Sequence, residues 1–277
     1  MKALKIFVLA AIAALSFIKA PPVLAQDTSR ALSSESVIET IKKRGVLKVG
    51  LSTFVPWAMR DRNGDLIGFE VDVATRLAED MGVEIEFVPT AWDGIIPALI
   101  AGKFDVIIGG MSITPARNLT INFTAPYGGA SLGVMASVAA SKDIEWPDGY
   151  NAPTVTFACR RGGTPCTYIQ ERFPQATLRQ FDDESQVLQE VLNGNANAMV
   201  SSQPLPAFTI YENPETVFAP TDEAIQPTAD GFALRKGDPD ALNFFNNWIL
   251  VNTGNGFLQD RHDYWFGGRP WADQIAQ

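Results

Sequence analysis

The chain has 277 residues, 46% of them hydrophobic and 19% charged, the balance of a packed globular protein. Its formal charge of −9 becomes −12 once Lys2, Lys5 and Lys19 leave with a leader, and an acidic protein repels nucleic acid and anionic lipid, so neither is an expected partner. One histidine and two cysteines make a metal site unexpected, and no cofactor is expected either.

Residues 1–25 read as a secretory signal peptide. Lys2 and Lys5 give a positive start, residues 6–18 an apolar stretch short for a membrane span, and Val23, Leu24 and Ala25 a cleavage point after Ala25. The alternative is an uncleaved membrane anchor. No cysteine lies there to carry a lipid, and no later stretch is long and apolar enough to span a bilayer. About 250 residues remain, enough for one large domain or two small ones.

Residues 28–36 are mostly polar and read as a loose lead-in. A repeated grammar follows. Residues 46–51 form a short apolar strand. The spacing of Val73, Ala74, Leu77, Ala78 and Met81 predicts a helix over 70–81, stopped by Gly82. Residues 84–88 alternate as a strand, 93–101 read as a helix closed by Gly102, and 105–108 as a strand. Pro97 sits uncomfortably deep in that helix unless it starts late. The same β-α-β-α-β order recurs over 154–158, 164–173, 177–181, 184–192 and 196–200, with Asp183 as an N-cap and Gly194 as a stop.

Such alternation predicts an α/β fold of two lobes, each a mainly parallel sheet flanked by helices. Asp238 and Pro239 open a further helix, with Ala241, Leu242, Phe245, Trp248 and Ile249 at helical spacing, and residues 256–266 continue in helix. A tail returning to the first lobe makes the chain cross twice, at 127–131 and 226–230, as a two-stranded hinge. Lobe one is then 26–126 with 231–277, and lobe two 132–225.

The most informative segment runs from Gly109 to Arg117. It follows a buried strand, Thr114 and Pro115 start a short helix, and Gly110 lets a ligand approach the backbone. Its N–H groups and the Ser112 hydroxyl would face outward at the carboxyl edge of the sheet, where α/β folds bind ligands, and Arg117 can grip a carboxylate with two prongs. The alternative is an ordinary turn with a surface arginine. Phe54, Trp57 and Trp92 lie just after strands at the same edge, suited to wall a ligand or stack on a cation, or else to pack in the core. Cys159 and Cys166 are best read as one disulfide in an exported protein, the alternative being two free buried thiols. His262 reads as a surface helix residue.

The run Gly68 to Ala74 with Leu77 and Ala78, the run Trp92 to Leu99, Gly102 to Asp105, Gly110 to Arg117, and Phe123 to Tyr127 closely resemble the signature of the bacterial extracellular solute-binding proteins of family 3, the amino-acid-binding type. The resemblance spans the mature chain, densely in lobe one and thinly in lobe two. It implies the two-lobed type II periplasmic binding protein fold and a monomer in the periplasm. That monomer would capture a small carboxylate-bearing solute by lobe closure and present it to an ABC permease of the inner membrane. It implies no catalytic residue. By resemblance, Phe54 is the stacking aromatic, Gly110 and Ser112 donate to the ligand carboxylate, Arg117 binds it, Thr164 reaches it from lobe two, and Trp92 and Met111 line the wall.

One position departs from the pattern. Ser202 stands where the family carries an aspartate for the ligand's ammonium, and serine brings no charge to a desolvated cation. Two ligand classes follow. Phe54, Trp57 and Trp92 with a neutral Ser202 suit an alkylated or delocalised cation bearing a carboxylate, which is slightly preferred. Arg160 or, as the candidate second-group reader, Arg161 suits a diacid instead. Two rival functions share the fold. A cyclohexadienyl-dehydratase-like enzyme needs a tuned acid or base in the cleft, which the sequence does not place. A sensor that presents its closed form to a membrane receptor would have the same chain.

Overall fold

The structure is a computed structural model that describes residues 36–275. The signal peptide expected at 1–25 lies outside the described residues. In chain order the first half contains α1 (Val37–Arg44), β1 (Val46–Leu51), β2 (Met59–Arg60), β3 (Leu66–Ile67), α2 (Phe69–Met81), β4 (Glu84–Pro89), α3 (Ile95–Ile100), β5 (Val106–Ile107), α4 (Pro115–Asn118) and β6 (Asn122–Phe123). There follow β7 (Ser131–Ser137), α5 (Val138–Ser141), β8 (Thr156–Arg160), α6 (Thr164–Arg172), β9 (Thr177–Phe181), α7 (Glu184–Leu192), β10 (Ala198–Ser202), α8 (Leu205–Glu212), β11 (Val217–Phe218) and β12 (Gln226–Pro227). The chain ends with β13 (Ala233–Leu234), α9 (Pro239–Gly254) and α10 (Phe257–Phe266).

The fold is α/β with two lobes, each built on its own sheet. The first sheet has the order β4-β1-β5-β13-β6 and the second β11-β7-β10-β8-β9, with β12 also on β7. The β4-β1-β5 and β10-β8-β9 parts are parallel. The strands made after each crossing run antiparallel: β7 to β10, and β13 to β5 and β6.

Both sheets bury both faces. In lobe one, Leu47 and Val49 pack against Val73, Leu77, Phe245 and Trp248, while Ile107 faces Ile95, Leu99 and Phe104 on the other side. In lobe two, Leu132, Val134, Phe157 and Val200 pack with Ile169 and Phe173, and Met135, Ala158 and Met199 pack with Val187 and Val191. Strand periodicity sends alternate side chains to opposite layers.

Caps set the element ends. Ser36 caps α1 and Gly45 closes it in the left-handed region, a helix the polar lead-in concealed. Pro97 is only the third residue of α3, where its missing N–H costs no helical bond, because a 3-10 turn over Trp92–Gly94 precedes it. Asp238 caps α9 by accepting from the Ala241 N–H at 2.9 Å and also accepts from the Val37 N–H at 2.7 Å. The tail docks on α2, where the indole N–H groups of Trp248 and Trp265 donate to Asp80 and Asp72 at 2.8 and 2.7 Å. Two segments run side by side between the sheets, bonded Tyr127 N–H to Asp230 O at 3.0 Å and Thr228 N–H to Ala130 O at 2.7 Å. No helix among the described residues is long and apolar enough to cross a membrane.

Candidate functional site

The site lies where the carboxyl ends of the parallel strands of both lobes converge. Phe54 follows β1, Trp92 follows β4, and Gly110 and Ser112 follow β5, with Arg117 on α4. From lobe two, Arg160 ends β8, Gly163 and Thr164 open α6, Glu184 opens α7 after β9, and Ser201 and Ser202 end β10. All of these line one cavity of about 30 Å³, room for about a single water.

The lobe-one side is preset by its backbone. Gly110 has φ +65°, and a Cβ there would sit 2.5 Å from the Trp57 ring. Trp57 is buried and stacks on Phe54 at 4.5 Å, so the glycine, the indole and the aromatic wall form one packed unit. The Gly110 N–H donates to the Tyr127 hydroxyl at 3.2 Å, and that hydroxyl donates to the buried Glu70 at 2.7 Å. Thr114 caps α4 by accepting from the Arg117 N–H at 3.2 Å, which fixes the base of the arginine.

Two arginines cross the cleft in opposite directions, Arg160 buried and Arg117 half-buried. Arg117, from lobe one, donates through Nη1 to Ser112 O at 2.8 Å and through Nη2 to Gly162 O of lobe two at 3.0 Å. Arg160, from lobe two, lays its guanidinium between two lobe-one rings, 4.8 Å from the centroid of Phe54 and 4.6 Å from that of Trp92. Trp92 is also 5.7 Å from the Arg117 guanidinium. Arg160 pairs loosely with Glu184 at 3.7 Å, and the Ser201 hydroxyl donates to the other oxygen of Glu184.

Burial governs the protonation chemistry. It lowers Arg117 to about 10, the Arg160 charge adding to the fall and Asp230 opposing it. It raises Asp230 to about 6 against the pull of Ser112, Arg117 and Trp57. Burial also raises Glu184, offset by Arg160 and Ser201, and raises Glu70 well above the carboxylate range despite its bond from Tyr127.

Six of the sequence-derived candidates line the cavity beside Gly110: Phe54, Trp92, Ser112, Arg117, Thr164 and Ser202. Met111 does not; it is buried in the lobe-one core beside Ile95 and Leu99. Arg161 is exposed and paired with Asp182 at 3.1 Å, outside the cavity, and its neighbour Arg160 enters instead. Cys159 and Cys166 are joined and bracket the Gly162–Thr164 turn. His262 is half-buried and stacks on Phe266 at 4.5 Å. Sequence reasoning passed over Glu184 as a site residue. Its signal was positional, three residues beyond a parallel strand at the same edge as Thr164. Among the described residues, no group of three or more His, Cys, Asp or Glu is arranged to hold a metal.

The sequence profile of the bacterial extracellular solute-binding proteins, family 3, matches residues 47–268. The L-cystine-binding protein TcyJ of Escherichia coli K12 is 28% identical over 255 residues, 92% of this chain and 95% of that one. A cyclohexadienyl dehydratase of Pseudomonas aeruginosa is 24% identical over 237 residues, 84% of this chain and 87% of the enzyme. Among solved structures, the ancestral amino acid-binding protein AncCDT-1, a precursor of cyclohexadienyl dehydratase, superposes with a TM-score of 0.76 at 38% identity, covering 83% of this chain and 99% of that one. The putative ABC-transporter binding component from Wolinella succinogenes, complexed with lysine, gives 0.77 at 33% over the same shares. The chain belongs to the bacterial extracellular solute-binding proteins of family 3, with the two-lobed type II fold.

Proposed function

We propose that this protein is the periplasmic, amino-acid-binding component of an ABC importer, exported by the leader at 1–25 and working as a monomer. Lobe one (26–126 and 231–277) holds the ligand carboxylate through Arg117, the Ser112 hydroxyl and the Gly110 N–H, which exchanges its Tyr127 partner for the ligand. Lobe two (132–225) then closes about the paired segments 127–131 and 226–230 and adds Thr164 and Ser202. Closure is favoured by contacts that the ligand makes with both lobes at once. An inner-membrane permease reads the closed shape.

The observation that carries this reading is Arg117. It is half-buried, lines the cleft, is braced by Ser112 O, and reaches lobe two, so a carboxylate it holds is held at the meeting of the lobes. Glu184 supplies the charge that Ser202 lacks. It lines the same cavity, and a ligand ammonium between Ser202 and Glu184 has an anionic partner. Titration calorimetry on protein refolded free of carried-over solute tests this. Arg117→Ala should lose at least about 100-fold in affinity for amino acids while keeping its helical signal, because loss of a buried charged partner costs about 2–5 kcal/mol. Wild-type affinity in a folded variant overturns it.

One observation favours a second reading. Glu184 is a buried carboxyl with a raised pKa inside the cleft, which is what a general acid requires. Loss of a cyclohexadienyl acid, followed by absorbance, would make the protein an enzyme. Binding without turnover leaves it a carrier.

A further inference from the structure

We infer that Arg160 is a specificity residue, and that it directs the site to amino-acid-type solutes bearing a second carboxylate. The inference rests on the carboxylate-binding role of Arg117. Three features of the cleft carry it.

First, the aromatic slot is already filled. Phe54 and Trp92 flank a space suited to a flat cation, and the Arg160 guanidinium lies in it at 4.8 and 4.6 Å from the two ring centroids. A ligand with a cationic side chain must displace that charge or share a buried site with it. A ligand with an anionic side chain leaves the stack in place.

Second, the donors of Arg160 are largely unspent. A guanidinium carries five N–H donors in a fixed fork. Among the described residues its side chain has two polar contacts, both long: Nη1 to Thr53 O at 3.5 Å and Nε to Glu184 at 3.7 Å. The residue is only 9% exposed and lines the cavity. Arg161 next to it is bound to Asp182 and Gln180 O and is not available.

Third, the cavity holds two arginines from opposite lobes. Both sit on Trp92, at 5.7 and 4.6 Å, and the Arg160 charge adds to the lowering of Arg117. A ligand carrying one carboxylate for each arginine ties lobe one to lobe two through its own length. A monocarboxylate satisfies only Arg117. Acidic amino acids and N-carboxyalkyl amino acids both present this pair of carboxylates, one on the side chain and the other on the nitrogen substituent.

The test is titration calorimetry of wild type, Arg160→Gln, Arg160→Lys and Arg117→Ala. The probes are L-glutamate, L-glutamine, L-2-aminoadipate, N-(1-carboxyethyl)-L-alanine, L-arginine and L-lysine. In wild type the diacids should bind at least tenfold tighter than L-glutamine, L-arginine and L-lysine. Arg160→Gln should erase the glutamate-to-glutamine ratio and raise affinity for L-arginine at least tenfold, because the slot is vacated. Arg160→Lys keeps a charge without the fork or the stack and should retain part of the acid preference. The inference is overturned if wild type prefers L-arginine or L-lysine, binds no diacid, or if a folded Arg160→Gln keeps the glutamate preference. An amino acid that binds wild type, fails on Arg117→Ala and ignores Arg160 sinks this inference and leaves the proposed function standing. Equal binding by Arg117→Ala sinks the proposed function itself.

Discussion

Lobe one meets the cleft with Phe54, Trp92, the Gly110 turn and Arg117, while lobe two meets it with Arg160, Thr164, Glu184, Ser201 and Ser202. Both sets stand at the carboxyl ends of parallel strands, so the two lobes use one device to aim side chains at a ligand. They differ in how each side chain is held. On lobe one, backbone and packed rings do it: a left-handed glycine under an indole and a threonine cap under an arginine. On lobe two, polar and charged groups do it: the Ser201 hydroxyl holds Glu184, which pairs loosely with Arg160 in a buried chain. A shape-built edge tolerates pH and salt but not added volume. A charge-built edge is the reverse.

The largest expected effect of breaking this contrast is on the shape-built edge. Gly110→Ala places a methyl 2.5 Å from the Trp57 ring at a φ of +65°. Left-handed strain and overpacking together should cost about 3–4 kcal/mol in denaturant unfolding. A loss under about 1 kcal/mol would mean that Trp57 moves freely, and the rigid edge would be an error.

Asp230 joins the two regimes, since it lies beside Ser112 and Arg117 at the crossing segments. Folding raises its pKa from 3.8 to about 6. The folded protein therefore keeps a proton that the unfolded chain releases. Stability falls as pH climbs from about 4 to 6 and levels off above that, by about 3 kcal/mol. Glu70 and Glu184 push in the same direction. Asp230→Asn should flatten the melting temperature against pH over this range. An unchanged slope would locate the proton elsewhere.

The disulfide stiffens the charge-built edge, closing a loop of separation 7 around Gly162–Thr164. Cys159→Ser with Cys166→Ser should lose about 2–3 kcal/mol by chain entropy. It should also weaken ligand binding, since Thr164 and Arg160 both border that loop. Lost stability with intact affinity would show that the edge needs no such support.

The smallest expected effect sharpens the comparison most. Glu184→Gln removes the proposed partner of the ligand ammonium and should cost about 2 kcal/mol of binding, roughly 30-fold, for amino acids. Their deaminated acids should lose little. Equal losses for both, by calorimetry, would make Glu184 only a support for Arg160.

Legibility followed the same division. The lobe-one motifs are short and contiguous, because residues 110–117 belong to one turn and one cap, and local sequence dictates local backbone. Lobe-two residues meet only through strand order. Arg160, Glu184 and Ser202 come from three strand ends, so reading along the chain separates them. Arg160 and Arg161 are a case in point. Adjacent residues at a strand end point apart, one into the cleft and one to solvent, and spacing alone does not say which. Met111 is a similar case. It neighbours two site residues but turns into the core.

The sequence by itself determined the alternating elements, the caps at Thr114 and Asp238 and the two-lobed class, since these rest on periodicity and on residues that act within a few positions of one another. Only the tertiary structure decided which arginine enters the cleft, that its guanidinium occupies the Phe54–Trp92 slot, and that Glu184 lines the same cavity as Ser202. The first two of those facts depend on two lobes facing each other. The contacts across the cleft join residues far apart in the chain, 45 positions for Arg117 and Gly162 and 107 for Thr53 and Arg160, and no local preference encodes them.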